Sequence, residues 1–201
     1  LFFLRSLDGM HHNGARAVTT ELLQRPFWAE KLMDFYRKLD LGFEGIRVAN
    51  DTSLITDQKV FAEDGLDTGS ITVFDALAQE SSGTNKVIDI SGPILDTLEV
   101  GGVIIVDEFD AKLHPLLSLA ILRLFQNPET NPKGAQLIFA THDSNLLRFG
   151  NLRRDQIYFT EKDKIGATQL YSLVEYGGVR KDRSFEKDYL QGRYGGIPFI
   201  A

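Results

Sequence analysis

Two adjacent carboxylates, Asp107 and Glu108, follow directly after four β-branched apolar residues, Val103 to Val106. An uncharged run of this kind predicts a strand that is buried on both faces of a parallel sheet. In open α/β sheets, ligands bind just beyond the carboxyl ends of the strands. Of two acids at such a place, one can hold a metal ion and the other can orient or deprotonate a water molecule.

A second polar cluster, Thr141-His142-Asp143, follows a second apolar run, Leu137 to Ala140. Between the runs, Leu116 to Phe125 has the apolar spacing of a helix, so the segment predicts a βαβ unit with parallel strands. Both polar clusters are then expected at the same edge of the sheet. A helix dipole would favour one acid after the first strand, but it does not account for the second cluster. The pair at 107–108 is therefore typical of a Walker B segment in a nucleoside triphosphatase.

A third element, Ser81-Ser82-Gly83-Thr84, lies upstream, just before a predicted helix. Backbone N–H groups at a helix N-terminus can point at phosphate oxygens, and glycine lets the backbone approach them closely. Taken alone, a serine-glycine turn is weak evidence, because such sequences are common in ordinary turns. Its order before the clusters at 107 and 141 favours an anion-binding role.

These three elements, in this order, resemble the second half of an ABC-type ATPase head, with its signature loop, Walker B strand, D-loop and switch histidine. The variant DExDxxLHP is similar to the RecF/Rad50/SMC-like branch of these heads. A closer resemblance is to the bacterial AAA15 family of stand-alone ABC-like ATPases, and it covers residues 80–200. The motifs that carry it are ESSGTNK at 80–86, DEFDAKLHP at 107–115, QLIFATHD at 136–143, RRDQIYFTEKD at 153–163 and YLQGRYGGIPF at 189–199.

The resemblance implies a role for each matching residue. Asp107 would hold Mg²⁺, Glu108 would orient and deprotonate the attacking water, and His142 would contact the γ-phosphate of ATP. Residues 111–114 would form the D-loop that faces a second protomer, with His114 where many relatives have aspartate. The residues implied in nucleotide binding are Ser81, Ser82, Gly83, Thr84, Asp110 and His114. Those at 81–84 would bind the ATP held by the second protomer.

The predicted fold class is α/β, an ABC-type ATPase head fragment with a largely parallel sheet flanked by helices and a smaller mixed α+β N-terminal part. Residues 1–75 are predicted to form a helical and mixed-β lobe, and residues 76–201 the ATPase core. The sequence has no Gly-Lys pair and therefore no GxxxxGKS/T P-loop. We expect a C-terminal half that lacks the Walker A segment and that binds ATP poorly by itself.

Local patterns predict several further elements. Residues 1–8 have a helical pattern, residues 11–14 have a loop pattern, and Pro26 suits the first turn of a helix. Two β-like runs between residues 156 and 173 predict a hairpin. Residues 177–201 are rich in Gly, Arg and Lys and are predicted to form an exposed tail.

Composition narrows the function classes. The chain has 201 residues, a net charge of −6 and no cysteine, which excludes a disulfide scaffold and a thiolate site. The acidic balance argues against a generic nucleic-acid coat. No apolar stretch approaches the roughly 18 residues that spanning a bilayer requires. These features predict a cytoplasmic protein without a membrane segment.

The resemblance implies an ATP-driven dimer switch with ATP and Mg²⁺ as cofactors. Two copies would form a head-to-tail homo-oligomer with ATP sandwiched between them, and a Toprim-like nuclease in anti-phage defence is the implied effector partner. Two other functions stay open, a DNA-repair-type ATPase that binds DNA directly and a metal-dependent nuclease. The DNA-binding candidates are Arg148, Arg153, Arg154, Arg180, Lys181 and Arg183, and the nuclease candidates are Asp107, Glu108, Asp110, His142 and Asp143.

Overall fold

The computed structural model describes residues 2–4, 12–49, 53–148, 151–177 and 184–197. In chain order, the helices and strands are β1 (Phe2–Leu4), α1 (His12–Leu23), α2 (Pro26–Lys38), β2 (Gly45–Val48), β3 (Leu54–Phe61), β4 (Asp67–Asp75), α3 (Ala76–Gln79), α4 (Ser82–Val100), β5 (Val103–Val106), α5 (Pro115–Gln126), β6 (Gln136–Phe139), β7 (Tyr158–Lys162), β8 (Thr168–Ser172) and α6 (Phe185–Leu190). They form two compact units that divide between Thr141 and His142. The predicted boundary at residue 75 separates the N-terminal lobe from the region that carries the ATPase motifs. It stays a prediction.

The first unit contains a parallel sheet in the order β1-β5-β6. Helix α5 connects β5 to β6, and Val106 pairs with Phe139 in parallel register. The predicted βαβ unit and the α/β fold class are therefore confirmed. Burial is less complete than the apolar runs predict, because Ile104 is fully buried in β5 whereas Ile138 in β6 is 52% exposed.

The N-terminal segment differs from its prediction. Phe2–Leu4 is a strand that pairs in parallel with Ile104 to Val106, so the helical interpretation is wrong for these three residues. The predicted loop is wrong for residues 12–14, which open α1, while His11 lies outside the described residues. A short apolar run has too few residues to show a period, and the neighbouring strand decides its conformation.

Strands β2, β3 and β4 form a separate antiparallel sheet, which confirms the mixed N-terminal part of the predicted fold. Leu54 and Thr56 of β3 point to the same side and are buried, as expected for the alternation of side chains along a strand. After β4, Asp75 caps the single turn of α3 by accepting from the Ala78 N–H. The chain then reaches α4 through two extended residues, Glu80 and Ser81.

Helix α4 packs closely on α1 where Gly92 meets Thr19. Thr19 Oγ1 donates to the Ile88 carbonyl oxygen at 2.9 Å and accepts from the Gly92 N–H at 3.0 Å. Because Pro93 has no N–H, the Asp89 carbonyl lacks its usual helical donor, and Thr19 Oγ1 lies 3.3 Å from that oxygen. A Cβ on Gly92 would lie 2.6 Å from Thr19 Oγ1, so glycine is needed here. The contact fixes α4, whose first residues carry the serine-glycine motif.

The second unit is built around the β7–β8 hairpin, which confirms the hairpin prediction. Its core consists of Ile157, Phe159, Leu173, Phe185 and Tyr194. The hydroxyls of Tyr171 and Tyr176 both donate to the Tyr194 carbonyl oxygen, at 2.8 and 2.9 Å. The exposed-tail prediction is therefore wrong for residues 184–197, since this segment completes the core of the unit.

Candidate functional site

The loops that follow β5 and β6 meet at one edge of the parallel sheet. The Phe109 N–H donates to the Ala140 carbonyl oxygen at 2.9 Å, and Thr141 Oγ1 donates to Asp110 Oδ1 at 2.6 Å. The predicted meeting of the two strand ends is confirmed for these residues. His142, the next residue of the chain, is exposed and begins the second unit.

The segment Asp107–His114, here called the acid loop, turns sharply at its start. Asp107 is exposed, and its Oδ1 accepts from the Glu108 N–H at 3.0 Å. Glu108 has a left-handed backbone with φ of 45°, a conformation that costs a non-glycine residue about 1–3 kcal/mol and must be held by its surroundings. Phe109, the next residue, anchors the backbone at this point, because its side chain is fully buried and its ring lies 4.9 Å from the Phe139 ring. The aromatic ring thus anchors the loop, while Asp107 is exposed and Glu108 is half-buried.

The segment Ser81–Thr84, here called the serine turn, opens the 19-residue helix α4. Ser81 Oγ accepts from the Thr84 N–H at 3.0 Å and lies 2.9 Å from Thr84 Oγ1. This is a side-chain N-cap, and it satisfies one of the free N–H groups of the first turn. Ser81 and Ser82 are exposed, so the positive end of the α4 dipole faces outward with two hydroxyls beside it.

The serine turn touches the acid loop through Gly83. A Cβ on Gly83 would lie 2.8 Å from the Lys112 carbonyl oxygen, a distance that side chains do not tolerate. Lys112 has a φ of 67°, and the Leu113 N–H donates to the Asp110 carbonyl oxygen at 2.9 Å, so the loop is tightly folded at this contact. Two of the three sequence elements are therefore brought together by backbone packing.

His114 ends the acid loop and begins α5. Its Nδ1 accepts from the Leu116 N–H at 3.2 Å, which makes it the N-cap of that helix. The side chain is exposed. Because Nδ1 accepts a hydrogen bond, Nε2 is the ring nitrogen that carries the proton in the neutral imidazole. The cap gives His114 a structural role, and its nucleotide-binding role stays a prediction.

Lys86 is a residue of this region that the sequence interpretation did not single out. It lies three positions after Gly83, on the same face of α4, and its side chain is half-buried. Burial lowers the pKa of Lys86, against the opposing effect of the carboxylates of Asp89 and Glu108. Its position within ESSGTNK and its helical spacing from Gly83 are signals that point to it from sequence.

The two alternative functions gain little from the structure. Arg148 pairs with Glu186, Arg153 pairs with Asp155, and Arg154 donates to the Tyr176 carbonyl oxygen. Arg180, Lys181 and Arg183 lie outside the described residues. In the part of the chain that the structure describes, no three His, Cys, Asp or Glu side chains lie together as a metal site, and the nuclease hypothesis stays a prediction.

The sequence match agrees with this geometry. Residues 20–148 match the family described as "AAA domain, putative AbiEii toxin, Type IV TA system", which is more than half of the chain. The chain belongs to this AAA-domain family. The AAA-domain segment contains the serine turn, the acid loop and residues 141–143, and its family indicates a nucleotide-binding ATPase. No curated protein matches the chain, and the narrower AAA15 assignment stays a prediction.

Proposed function

We propose that the chain forms part of an ATPase in which ATP is hydrolysed at a site shared by two copies. The observation that carries the proposal is the contact between the serine turn and the acid loop at Gly83 and Lys112. It packs an outward-facing helix N-terminus against the loop that carries Asp107 and Glu108, while Ser81, Ser82 and Asp107 remain exposed. In the proposed dimer, the exposed serine turn of one copy would bind the nucleotide held by the second copy, and Asp107 would serve the nucleotide of its own copy.

The donor set of the acid loop fits Mg²⁺. Proteins commonly bind this ion through one or two carboxylates, with phosphate oxygens and water completing its shell. Asp107 would hold the ion, and bound Mg²⁺ would neutralise phosphate charge. Glu108 would accept a proton from the attacking water, and His142 would donate a hydrogen bond to the γ-phosphate. Asp110, bonded to Thr141 Oγ1, would keep the acid loop in place beside the nucleotide.

The same residues support a nucleotide-dependent dimer switch. If the serine turn of one copy binds the ATP held by the other, ATP favours the closed dimer and hydrolysis releases it. The family description names a putative toxin of a type IV toxin–antitoxin system, which supports a part in cellular defence. We extend the proposal to a cytoplasmic anti-phage role with a Toprim-like nuclease as effector.

Glu108→Gln in the intact protein tests the proposal. The amide keeps the size of the side chain but cannot accept the proton, so ATP turnover should fall by ~10²–10⁴-fold. ATP-bound dimers should accumulate in size-exclusion chromatography with light scattering. Glu129→Gln, at an exposed glutamate after α5, is the matched control and should behave as wild type. Unchanged turnover in Glu108→Gln, or no ATP-dependent dimer, would contradict the proposal.

A further inference from the structure

The carboxylate of Glu80 ties the start of the serine turn to the antiparallel sheet. Glu80 Oε1 accepts from Thr56 Oγ1 at 2.5 Å and from Gln58 Nε2 at 2.6 Å. Both donors lie on β3, more than 20 residues earlier in the chain, and Thr56 is completely buried. Two such bonds to one carboxylate oxygen fix both the position and the orientation of the carboxylate group.

A second set of contacts holds the backbone at the same place. Asn85 Nδ2 lies 3.2 Å from both the Glu80 and the Ser81 carbonyl oxygens. The Asn85 amide is itself oriented, because Arg16 Nη2 of α1 donates to its Oδ1 at 2.6 Å. Arg16 also pairs with Asp89 at 2.5 Å, one turn further along α4. Side chains from β3 and α4 therefore contact the two residues that precede α4, and Arg16 of α1 orients one of these side chains.

These contacts matter because of the backbone between α3 and α4. Glu80 and Ser81 have extended dihedral angles, with ψ of 155° and 154°, and lie between two helices. Glu80 ends α3, with its N–H bonded to the Ala76 carbonyl oxygen, and Ser81 begins α4 as its N-cap. The side-chain bonds of Glu80 add to this backbone and link the junction to β3. A change at Glu80 would alter the direction in which Ser81 and Ser82 face without removing either hydroxyl.

We propose that Glu80 is a positioning residue, which fixes the serine turn to β3 through Thr56 and Gln58. The inference rests on the proposed function, since it concerns the turn assigned to the ATP of a second copy. Through this link, the β2-β3-β4 sheet sets the geometry of the nucleotide site, although its described residues include none of the predicted site residues. Glu80 affects ATP hydrolysis through the orientation of Ser81 and Ser82, without contacting the nucleotide itself.

The test compares Glu80→Ala with Glu80→Gln in the intact protein. Glu80→Ala removes the acceptor, so kcat for ATP hydrolysis should fall about tenfold or more, the scale of a lost charge-assisted hydrogen bond. Binding of a fluorescent ATP analogue to the protomer should change by less than about twofold, because the turn serves the other copy's nucleotide. Glu80→Gln keeps an oxygen that can accept both bonds and should restore kcat to within about threefold of wild type.

Three further variants make the test decisive. Thr56→Val combined with Glu80→Ala should be no slower than Glu80→Ala alone, because both changes remove the same bond. Glu63→Ala, at an exposed glutamate between β3 and β4, is the control and should retain wild-type kcat. If Glu80→Ala fails to fold, Gln58→Leu removes one of the two donors and should lower kcat about threefold.

Several results would overturn the inference. It is wrong if Glu80→Ala keeps wild-type kcat, if Glu80→Gln is as slow as Glu80→Ala, or if analogue binding weakens in proportion to kcat. Unchanged kcat in a folded Gln58→Leu would also contradict it. The proposed function fails separately, when Glu108→Gln retains turnover. An inactive Glu108→Gln beside a fully active Glu80→Ala refutes only the positioning role.

Discussion

Gly83→Ala should weaken the contact between the serine turn and the acid loop. The added Cβ would start 2.8 Å from the Lys112 carbonyl oxygen, whereas ordinary contact begins at 3.4 Å. The two backbones must therefore separate by about 0.6 Å, and neither is a flexible side-chain end. Overpacking of this kind costs about 1–3 kcal/mol, while alanine gains about 0.5–1 kcal/mol over glycine inside a helix. We expect a net loss of roughly 0.5–2 kcal/mol in unfolding free energy.

Gly14→Ala provides the matched control for this prediction. Gly14 lies in α1, is exposed, and has nothing within 4 Å of the position of an added Cβ. It should stabilise the protein by about 0.5–1 kcal/mol. The difference between the two variants, measured by urea unfolding, isolates the steric contact from the helix propensity. If Gly83→Ala proves as stable as Gly14→Ala, the close packing of the turn on the loop is refuted.

The same variant predicts an effect on activity. A displacement of this size in groups that hold a nucleotide can lower the rate by up to about 10²-fold, because catalysis depends on sub-ångström placement. We therefore expect Gly83→Ala to reduce ATP turnover more than its modest loss of stability explains. Turnover is to be measured well below the unfolding midpoint, with Gly14→Ala alongside. Equal turnover in the two variants would contradict a catalytic role for the contact.

The other predictions concern the packing that supports the serine turn. Thr19→Val keeps the shape of the side chain but removes its bonds to Ile88 and Gly92, and should lower the unfolding free energy by about 1–3 kcal/mol in urea titrations. Gly92→Ala should be worse, at about 3 kcal/mol or more, because its Cβ would lie 2.7 Å from the Thr19 Cα. Burial raises the pKa of Tyr36 well above its usual 10.0, so above pH 10 the unfolded chain releases a proton that the folded chain keeps. The unfolding free energy then falls as pH rises, by up to about 1.4 kcal/mol per pH unit. Tyr36→Phe should reduce this slope. An identical slope in the two proteins would show that Tyr36 does not contribute.

Sequence predicted the elements whose signal is local. The apolar runs before Asp107 and Thr141 and the amphipathic segment between them give β5, α5 and β6, because periodicity and length separate strand from helix. The order of the polar clusters then predicts that the loops after β5 and β6 meet, as the bond between Thr141 and Asp110 confirms. Parallel strands joined by a helix leave few other arrangements.

The contacts that depend on distant partners were not predictable in the same way. Residues Phe2–Leu4 have too short a pattern, and their strand exists because β5 offers a partner. Thr56 and Gln58 look like ordinary strand residues, and only the packing of β3 beside the serine turn brings them to Glu80. The burial of Tyr194 likewise depends on the β7–β8 hairpin and was hidden by a glycine-rich, basic composition.

The central claim, that each ATP is hydrolysed between the acid loop of one copy and the serine turn of another, is tested most directly by mixing two inactive variants. Glu108→Gln disables the acid loop, and Ser82→Arg blocks the serine turn. In a mixed dimer, one site carries both lesions and the other carries neither. With random pairing, ATP turnover should return to about a quarter of the wild-type rate. If the mixture stays as inactive as its components, each copy acts alone and the shared site is wrong.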